Sequence, residues 1–136
     1  MDHVERQPLM RVLLLEDDHV LASVLADFLQ DEGHVVTHAL DMQQADCLAR
    51  GSGWDACIVD PGGGSYLELG AADSAQLRRL ATHVPVVVTT GRAWARRTEP
   101  ALLGVRAILA KPFDLGDLAQ ILDALAHHAL DGPEGE

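Results

Sequence analysis

Acidic side chains, one threonine and one lysine follow the apolar runs of this chain, each at the point where a run stops. Glu16 and Asp17 follow RVLLL, and Asp60 follows CIV in the segment CIVDPGGGSY. Thr90 ends VPVVVTT, and Lys111 follows VRAILA. Carboxylates brought close together repel one another, and their oxygens are ligands that suit Mg²⁺. With a metal ion, a lysine and a hydroxyl beside it, one carboxylate could act as the nucleophile in phosphoryl transfer.

Five apolar runs, rich in valine, leucine and isoleucine, predict the strands that position these groups. The predicted strands span 11–15, 34–40, 55–60, 84–91 and 105–110, and the predicted helices span 19–33, 41–51, 71–83, 92–104 and 114–130. This alternation indicates an α/β domain with a parallel sheet covered on both faces. Because ligands bind at the carboxyl ends of parallel strands, the acids, the threonine and the lysine are expected at one edge.

The helical segments carry start and stop signals. Asp18 is predicted to be the N-cap of the first helix rather than a third ligand, and Gly33 is predicted to end that helix. Pro100 interrupts the fourth segment, which is therefore predicted to be irregular. The core-facing residues predicted for the helices are Val20 and Val24 (or Leu21 and Leu25) with Phe28, then Leu77 and Leu80, then Leu118, Ile121, Leu122 and Leu125.

The composition is acidic, with 10 Lys+Arg against 21 Asp+Glu in 136 residues and a net charge of −11. That charge argues against general attraction to nucleic acid or to a membrane surface. Two cysteines without a CxxC pair, and no apolar run long enough to span a bilayer, predict a cytoplasmic protein. We expect one domain over 11–129, an N-terminal extension over 1–10 and a disordered acidic tail over 130–136.

The segments LLLEDD, CIVD, PVVVTTG and LAKPF, in this order and spacing, resemble the receiver domain of two-component response regulators over about residues 11–128. The resemblance implies a doubly wound, flavodoxin-like sheet of order 2-1-3-4-5 with five helices. It implies Asp60 as the phospho-acceptor, Glu16, Asp17, Asp60 and the Gly62 carbonyl as Mg²⁺ ligands, Thr90 as the switch hydroxyl, and Lys111, joined to Pro112 by a cis bond, as the phosphate-contacting lysine.

The sequence departs from the family's pattern at Pro61, Gly62–Gly64 and Ile108, at Pro100 in the fourth helical segment, and at Gly91, which stands after Thr90 where the family usually has alanine. Pro61 follows Asp60 directly, and Gly62–Gly64 replace the usual loop, so that metal binding through the Gly62 carbonyl is expected to be weak or to require ordering of the loop. Ile108 stands where the family has an aromatic switch residue, and isoleucine has no ring to swing.

Outside these motifs, the sequence favours structural roles. Trp54 is expected at the edge of the core and Trp94 on an exposed partner surface, while Cys57 is expected to be an inert buried side chain. Arg92, Arg96 and Arg97 form a basic patch, interpreted first as a solvated helix face and second as a contact for an acidic partner.

The first hypothesis is a stand-alone receiver that takes its phosphoryl group from a histidine kinase or a histidine phosphotransfer protein. It would signal to a downstream protein, without contacting nucleic acid or membrane, and a homodimer is left open. No enzymatic activity is expected beyond self-catalysed phosphotransfer and autodephosphorylation. The main alternative is a degenerate receiver that acts as a phosphorylation-independent adaptor. A phosphatase is disfavoured by Gly62 in place of a second acid, and a P-loop by the absence of GK[ST] after the glycines.

Overall fold

Five parallel strands form a single sheet of order β2-β1-β3-β4-β5 in the computed structural model, which describes residues 10–62 and 65–131. The strands are β1 (Arg11–Leu15), β2 (Val35–His38), β3 (Ala56–Val59), β4 (Val86–Thr90) and β5 (Ala107–Ala110). The helices are α1 (His19–Asp31), α2 (Met42–Ala49), α3 (Ala71–Ala81), α4 (Pro100–Leu103) and α5 (Leu115–Asp131), with a 3₁₀ segment (Ala93–Arg97) before α4. The predicted fold class and strand order are confirmed.

Parts of both predicted end segments belong to the folded domain. Met10, placed in the predicted N-terminal extension, is buried at 4% exposure, and its carbonyl accepts a hydrogen bond from the N–H of Val35. Helix α5 runs through Asp131, two residues into the predicted tail. The rest of both predicted end segments, together with Gly63 and Gly64, lies outside the described residues. Within the described part of the chain, no helix is long and apolar enough to cross a membrane.

Both faces of the sheet carry a buried apolar layer, because successive strand residues point to opposite faces. In β4, Val86 and Val88 face the layer that includes Leu77 and Leu80 of α3, as predicted for that helix. Val87 faces the opposite layer, whose other buried members are Met10, Val12, Leu14, Leu25, Leu29, Ala56, Ile58, Leu118, Leu122, Leu125 and Ala126. Complete burial of a leucine is worth about 1.5–3 kcal/mol, so these two layers hold the strand ends in place.

Helix α1 settles the choice between its two predicted core faces. Val20 and Val24 are 75% and 44% exposed, so the prediction that they face the core is wrong. Leu25 is fully buried, and Leu21 packs against the same layer. Asp18 fixes where the helix begins, because its side chain accepts the N–H groups of residues 20 and 21 as the predicted N-cap.

The fourth helical segment is irregular, as predicted from Pro100. A 3₁₀ segment comes first, and α4 then begins with Pro100 at its first turn, where no intrahelical N–H bond is needed. Gly104 ends α4 in the left-handed region with φ of 72°. The 3₁₀ segment turns Trp94 inward to 3% exposure, so the prediction of an exposed Trp94 is wrong.

Trp54 and Cys57 lie where the sequence predicts them. The Trp54 indole covers the core edge and donates from Nε1 to the Leu48 carbonyl at 2.7 Å, while the Arg11 guanidinium stacks on its ring at 4.4 Å. Cys57 lies in β3 at 0% exposure, and burial raises the pKa of its thiol to about 12. The thiolate that a reactive cysteine needs is therefore disfavoured.

Candidate functional site

Three carboxylates converge at the carboxyl edge of the sheet. Glu16 and Asp17 directly follow β1, and Asp60 directly follows β3, which is paired with β1. The Asp60 N–H continues that pairing by donating to the Leu15 carbonyl at 2.9 Å. One oxygen from each carboxylate lies within 4.8 Å of the others, as a shared metal ion requires. The all-oxygen donor set fits Mg²⁺.

Lys111 joins two of these carboxylates. Its Nζ lies 2.8 Å from Glu16 Oε1 and 2.7 Å from Asp60 Oδ2. The side chains of Lys111, Glu16 and Asp60 are 22%, 1% and 13% exposed, so the three charges are largely removed from water. Burial lowers the pKa of Lys111, but the hydrogen bonds and charges of Asp60 and Glu16 outweigh it and raise this pKa above its usual 10.5. The lysine therefore stays protonated at neutral pH.

The loop after Asp60 folds back on its carboxylate. The Gly62 N–H donates to Asp60 Oδ1 at 2.9 Å, so that both carboxylate oxygens accept hydrogen bonds. Gly62 has φ of 63°, which residues with a Cβ rarely adopt, and a Cβ there would lie 3.9 Å from Asp17 Oδ2. The first two loop residues are thus held against the acidic cluster. The metal-binding role of the Gly62 carbonyl stays a prediction.

Neighbouring backbone groups fix the position of Glu16. The residue is 5% exposed, and its Oε2 accepts the N–H of Asp18 at 3.1 Å. Asp18 itself turns away from the cluster, because its Oδ1 accepts the N–H groups of Val20 and Leu21. The prediction that Asp18 is a helix cap rather than a third ligand agrees with these contacts.

Thr90 ends β4 beside Ala110 of β5, and it is buried. Its hydroxyl accepts the N–H of Arg92 at 3.0 Å, and its carbonyl accepts the N–H of Lys111 at 2.8 Å. Thr90 therefore connects Lys111, at the end of β5, to the loop that follows β4. Thr89 faces the opposite layer, and among the described residues its buried hydroxyl has no hydrogen-bond partner. The switch role of Thr90 stays a prediction.

A cleft of about 200 Å³ opens over the carboxylates. Its lining residues are Leu15, Asp17, Leu40, Asp41, Met42, Asp60, Pro61 and Gly62. The loop between β2 and α2 supplies Leu40 and Asp41, and the first residue of α2 supplies Met42. None of the three is predicted at the site from the sequence. Applying the strand-end rule to the second strand as well as to the other four would have found them.

Together, the doubly wound sheet and the three carboxylates bridged by a lysine at its carboxyl edge define a receiver-type α/β domain. The family model for the response regulator receiver domain matches residues 12–123, and the chain belongs to this family.

The sequence is also similar to those of curated regulatory proteins. The transcriptional regulatory protein TcrA of Mycobacterium tuberculosis is 33% identical over 121 residues, covering 86% of this chain and 46% of TcrA. The chain spans about half the length of the curated relatives it matches.

Two solved structures share the fold. The receiver domain of the sensor histidine kinase PA1611 from Pseudomonas aeruginosa PAO1, with magnesium in its active-site cleft, is 26% identical, with a TM-score of 0.69 and coverage of 89% of this chain and 100% of that chain. A chain of the co-crystal structure of Saccharomyces cerevisiae Ypd1 with the Ssk1 receiver domain is 19% identical, with a TM-score of 0.69 and coverage of 90% and 92%. The latter likeness concerns the fold alone.

Proposed function

We propose that Asp60 accepts a phosphoryl group from a phosphohistidine of a histidine kinase or a histidine phosphotransfer protein, and that the reaction depends on Mg²⁺. The phosphorylated domain then signals through protein–protein contacts. The observation that carries this proposal is the bonding of Asp60 to Lys111 within 4.8 Å of the Glu16 and Asp17 carboxylates. Family membership and the magnesium-bound PA1611 receiver support it.

The proposed reaction is a transfer between two nucleophiles. An Asp60 oxygen forms a bond to phosphorus while the P–N bond of the phosphohistidine breaks, and the departing imidazole nitrogen keeps the bonding electron pair. Lys111 stays protonated and lies 2.7 Å from Asp60 Oδ2, so its ammonium group can pair with oxygens of the incoming group. Glu16 holds this ammonium from the other side at 2.8 Å and fixes its position.

Glu16, Asp17 and Asp60 are the residues that would hold the metal. When bound, Mg²⁺ neutralises the negative charge shared by these carboxylates and the transferring group. Lys111 already compensates part of this charge through Glu16 and Asp60, whereas Asp17 is exposed and has no salt bridge among the described residues. Asp17 is therefore the carboxylate with most to gain from a cation.

Mg²⁺ should stabilise the folded domain. At about ten times its Kd, a ligand that binds only the folded state raises the free energy of unfolding by about 1.4 kcal/mol. Asp17→Asn should remove most of this gain, as measured by urea denaturation with and without MgCl₂. Asp27→Asn makes the same charge change at an exposed position on α1 and should keep the gain. Equal gains in the two variants would contradict the metal assignment.

Labelling with acetyl phosphate tests the proposal directly. The wild-type chain should gain one phosphoryl group in its intact mass when MgCl₂ is present and none with EDTA. Peptide mapping after borohydride reduction should place the group on Asp60. If no label appears with Mg²⁺ present, the phospho-acceptor function fails, and the phosphorylation-independent adaptor becomes the better account.

An apolar surface beside Lys111 suits the approach of the phosphodonor protein. A cavity of about 400 Å³ lies between α1 and the start of α5, lined by Leu21, Val24, Lys111, Pro112, Phe113 and Leu115. Val20 and Val24 on α1 leave 75% and 44% of their surface exposed. A donor that brings a phosphohistidine to Asp60 can bury these side chains, and such burial favours association.

Val24→Glu should slow transfer from a protein donor without slowing labelling by acetyl phosphate. The charge would lie within an apolar contact, and we expect the rate from a phosphotransfer protein to fall about tenfold, the effect of losing a strong interface contact. Val35→Glu is the matched control, because Val35 is 51% exposed at the opposite end of the strands. The rate of transfer from the protein donor and the rate of labelling by acetyl phosphate are each measured with radiolabelled phosphate on gels. Equal slowing by both donors would show damage to the site rather than to a docking surface.

We further propose that the domain has no catalytic activity beyond self-catalysed phosphotransfer and autodephosphorylation. Its action without an attached effector domain stays a prediction, since the curated relatives are about twice as long.

A further inference from the structure

Basic residues are concentrated in one part of this acidic chain. Residues 74–98 contain five arginines and no aspartate or glutamate, whereas the chain has 10 Lys+Arg against 21 Asp+Glu. This segment contains most of α3, then β4 and the 3₁₀ segment. Half of the basic side chains of the chain therefore lie on α3 and in the segment that follows β4, and the proposed phosphoryl chemistry uses none of them.

A groove of about 380 Å³ lies between this segment, the loop before α3 and the helix α4. We call it the α3–α4 groove, and its lining residues are Leu67, Glu68, Leu69, Ser74, Arg78, Trp94, Arg97, Thr98, Leu102 and Leu103. Trp94 and Leu103, each 3% exposed, form an apolar floor. Leu67, in the loop before α3, and Leu102, in α4, also line the groove and keep 59% and 65% of their surface exposed. Large apolar side chains exposed around one concave surface mark a contact site.

Two arginines bridge the walls of the groove. Arg78 Nε donates to the Leu102 carbonyl at 3.1 Å, and Arg97 Nη2 donates to the Leu67 carbonyl at 3.3 Å. Neither guanidinium forms a salt bridge with a described residue, and Glu68 is the single acid among the described lining residues. A guanidinium has five N–H donors in a planar fork that matches a carboxylate, so each arginine keeps donors for a ligand.

We propose that the α3–α4 groove docks an acidic segment of a partner protein, in which carboxylates flank a large apolar side chain. The apolar side chain covers Trp94, and the carboxylates pair with Arg78 and Arg97. Charge decides the class of occupant. A second copy of this chain, or a nucleic acid, would bring a large net negative charge against a chain of −11, whereas a short acidic segment brings only a few carboxylates to a groove that has two arginines and one acid, Glu68. Docking requires no phosphoryl group, so it stands apart from the function proposed for Asp60.

The experiment uses the unphosphorylated full chain and a short synthetic peptide with Asp and Glu on both sides of one Phe. The chain has two tryptophans, and their indole N–H signals are followed in ¹⁵N NMR spectra during titration. The Trp94 signal should move saturably while the Trp54 signal stays in place. Replacing the peptide acids by Asn and Gln, or its Phe by Ser, should abolish the movement, and this test needs no variant of the protein.

Two protein variants locate the site. The double variant Arg78→Glu/Arg97→Glu should bind the acidic peptide at least about tenfold more weakly, because two partly exposed ion pairs are replaced by repulsion between like charges. Arg79→Glu is the matched control, because Arg79 is the exposed neighbour on α3 that faces the gap toward α2 instead. It should bind like the wild type.

Equal weakening by Arg79→Glu would show unspecific attraction and overturn the proposal. So would binding of the uncharged peptide, or an unmoved Trp94 signal at saturating acidic peptide. If sedimentation shows a wild-type dimer that Leu102→Asp converts to a monomer, the groove is an interface between copies and the proposal also fails. None of these outcomes bears on the function proposed for Asp60, which is tested separately by labelling with acetyl phosphate.

Discussion

Asp60→Asn should reduce Mg²⁺-dependent labelling by acetyl phosphate to background. The lone pair of an amide nitrogen is delocalised into the carbonyl group, and the amide oxygen lacks the negative charge of a carboxylate, so asparagine is too weak a nucleophile to attack phosphorus. The amide oxygen can still take the place of the carboxylate oxygen that accepts the Gly62 N–H at 2.9 Å. The loop can therefore keep its shape. Lys111 loses one of its two anionic partners but keeps Glu16 at 2.8 Å. The fold should survive, and intact mass spectrometry with circular dichroism measures both effects.

Asp114→Asn provides the control for the loss of a charge near the lysine. Asp114 is an exposed acid in the loop that leads from Lys111 to α5. This variant should be labelled as fast as the wild type. A phosphoryl group on the Asp60→Asn chain would mean that another side chain is the acceptor, and the function proposed for Asp60 would then be wrong.

Strand positions could be predicted because each apolar run ends in a polar group. The bounds predicted for β1 are those observed, but the fourth strand is shorter than the predicted 84–91. Val84 lies in the core at 3% exposure, yet its N–H bonds to the Leu80 carbonyl of α3 rather than to the sheet. The apolar character of Val84 predicts its burial correctly, but where a strand begins depends on whether the residue's backbone N–H pairs with a neighbouring strand, which apolar character does not show.

Convergence of the acids with Lys111 could also be predicted, since parallel strands bring their carboxyl ends to one edge. The bonding within the site could not. Glu16 and Lys111 are 95 residues apart, and whether the lysine bridges two carboxylates depends on side-chain positions that no local pattern encodes. Burial of Trp94 was missed for a related reason, because a 3₁₀ turn shifts the inward positions away from those of an α-helix.

Ile108 bears on how the site connects to the rest of the domain. Its side chain packs, partly buried, against the layer that contains Val88, its partner in β4. Another connection joins the two loops that follow Asp60 and Thr90, because the Ala93 N–H donates to the Tyr66 carbonyl at 2.9 Å. The loops that follow Asp60 and Thr90 are therefore tied to each other by a backbone hydrogen bond that involves no residue at position 108.

Lys111→Met should destabilise the metal-free domain by about 3 kcal/mol, because it leaves the buried Glu16 carboxylate beside Asp60 without a cation. Since the Lys111 side chain is 22% exposed, we take the lower end of the range for broken buried pairs. Labelling by acetyl phosphate should fall about a hundredfold as well, the usual cost of removing one charge-stabilising donor. Urea denaturation and labelling rates measure the two effects.

The stability difference between the wild type and Lys111→Met should depend on pH and on Mg²⁺. The pKa of Lys111 is raised in the folded state, so its contribution is complete below pH 10.5, the unperturbed value, and is lost as the pH rises through the folded-state pKa. Lys111→Met should lack this alkaline loss, and MgCl₂ should restore part of its stability at neutral pH. Arg50→Met removes an exposed i,i+4 pair with Asp46 and should cost no more than about 0.5 kcal/mol. Similar losses in both variants would mean that Lys111 forms an ordinary surface pair, and its assignment to the phosphoryl site would lose its physical basis.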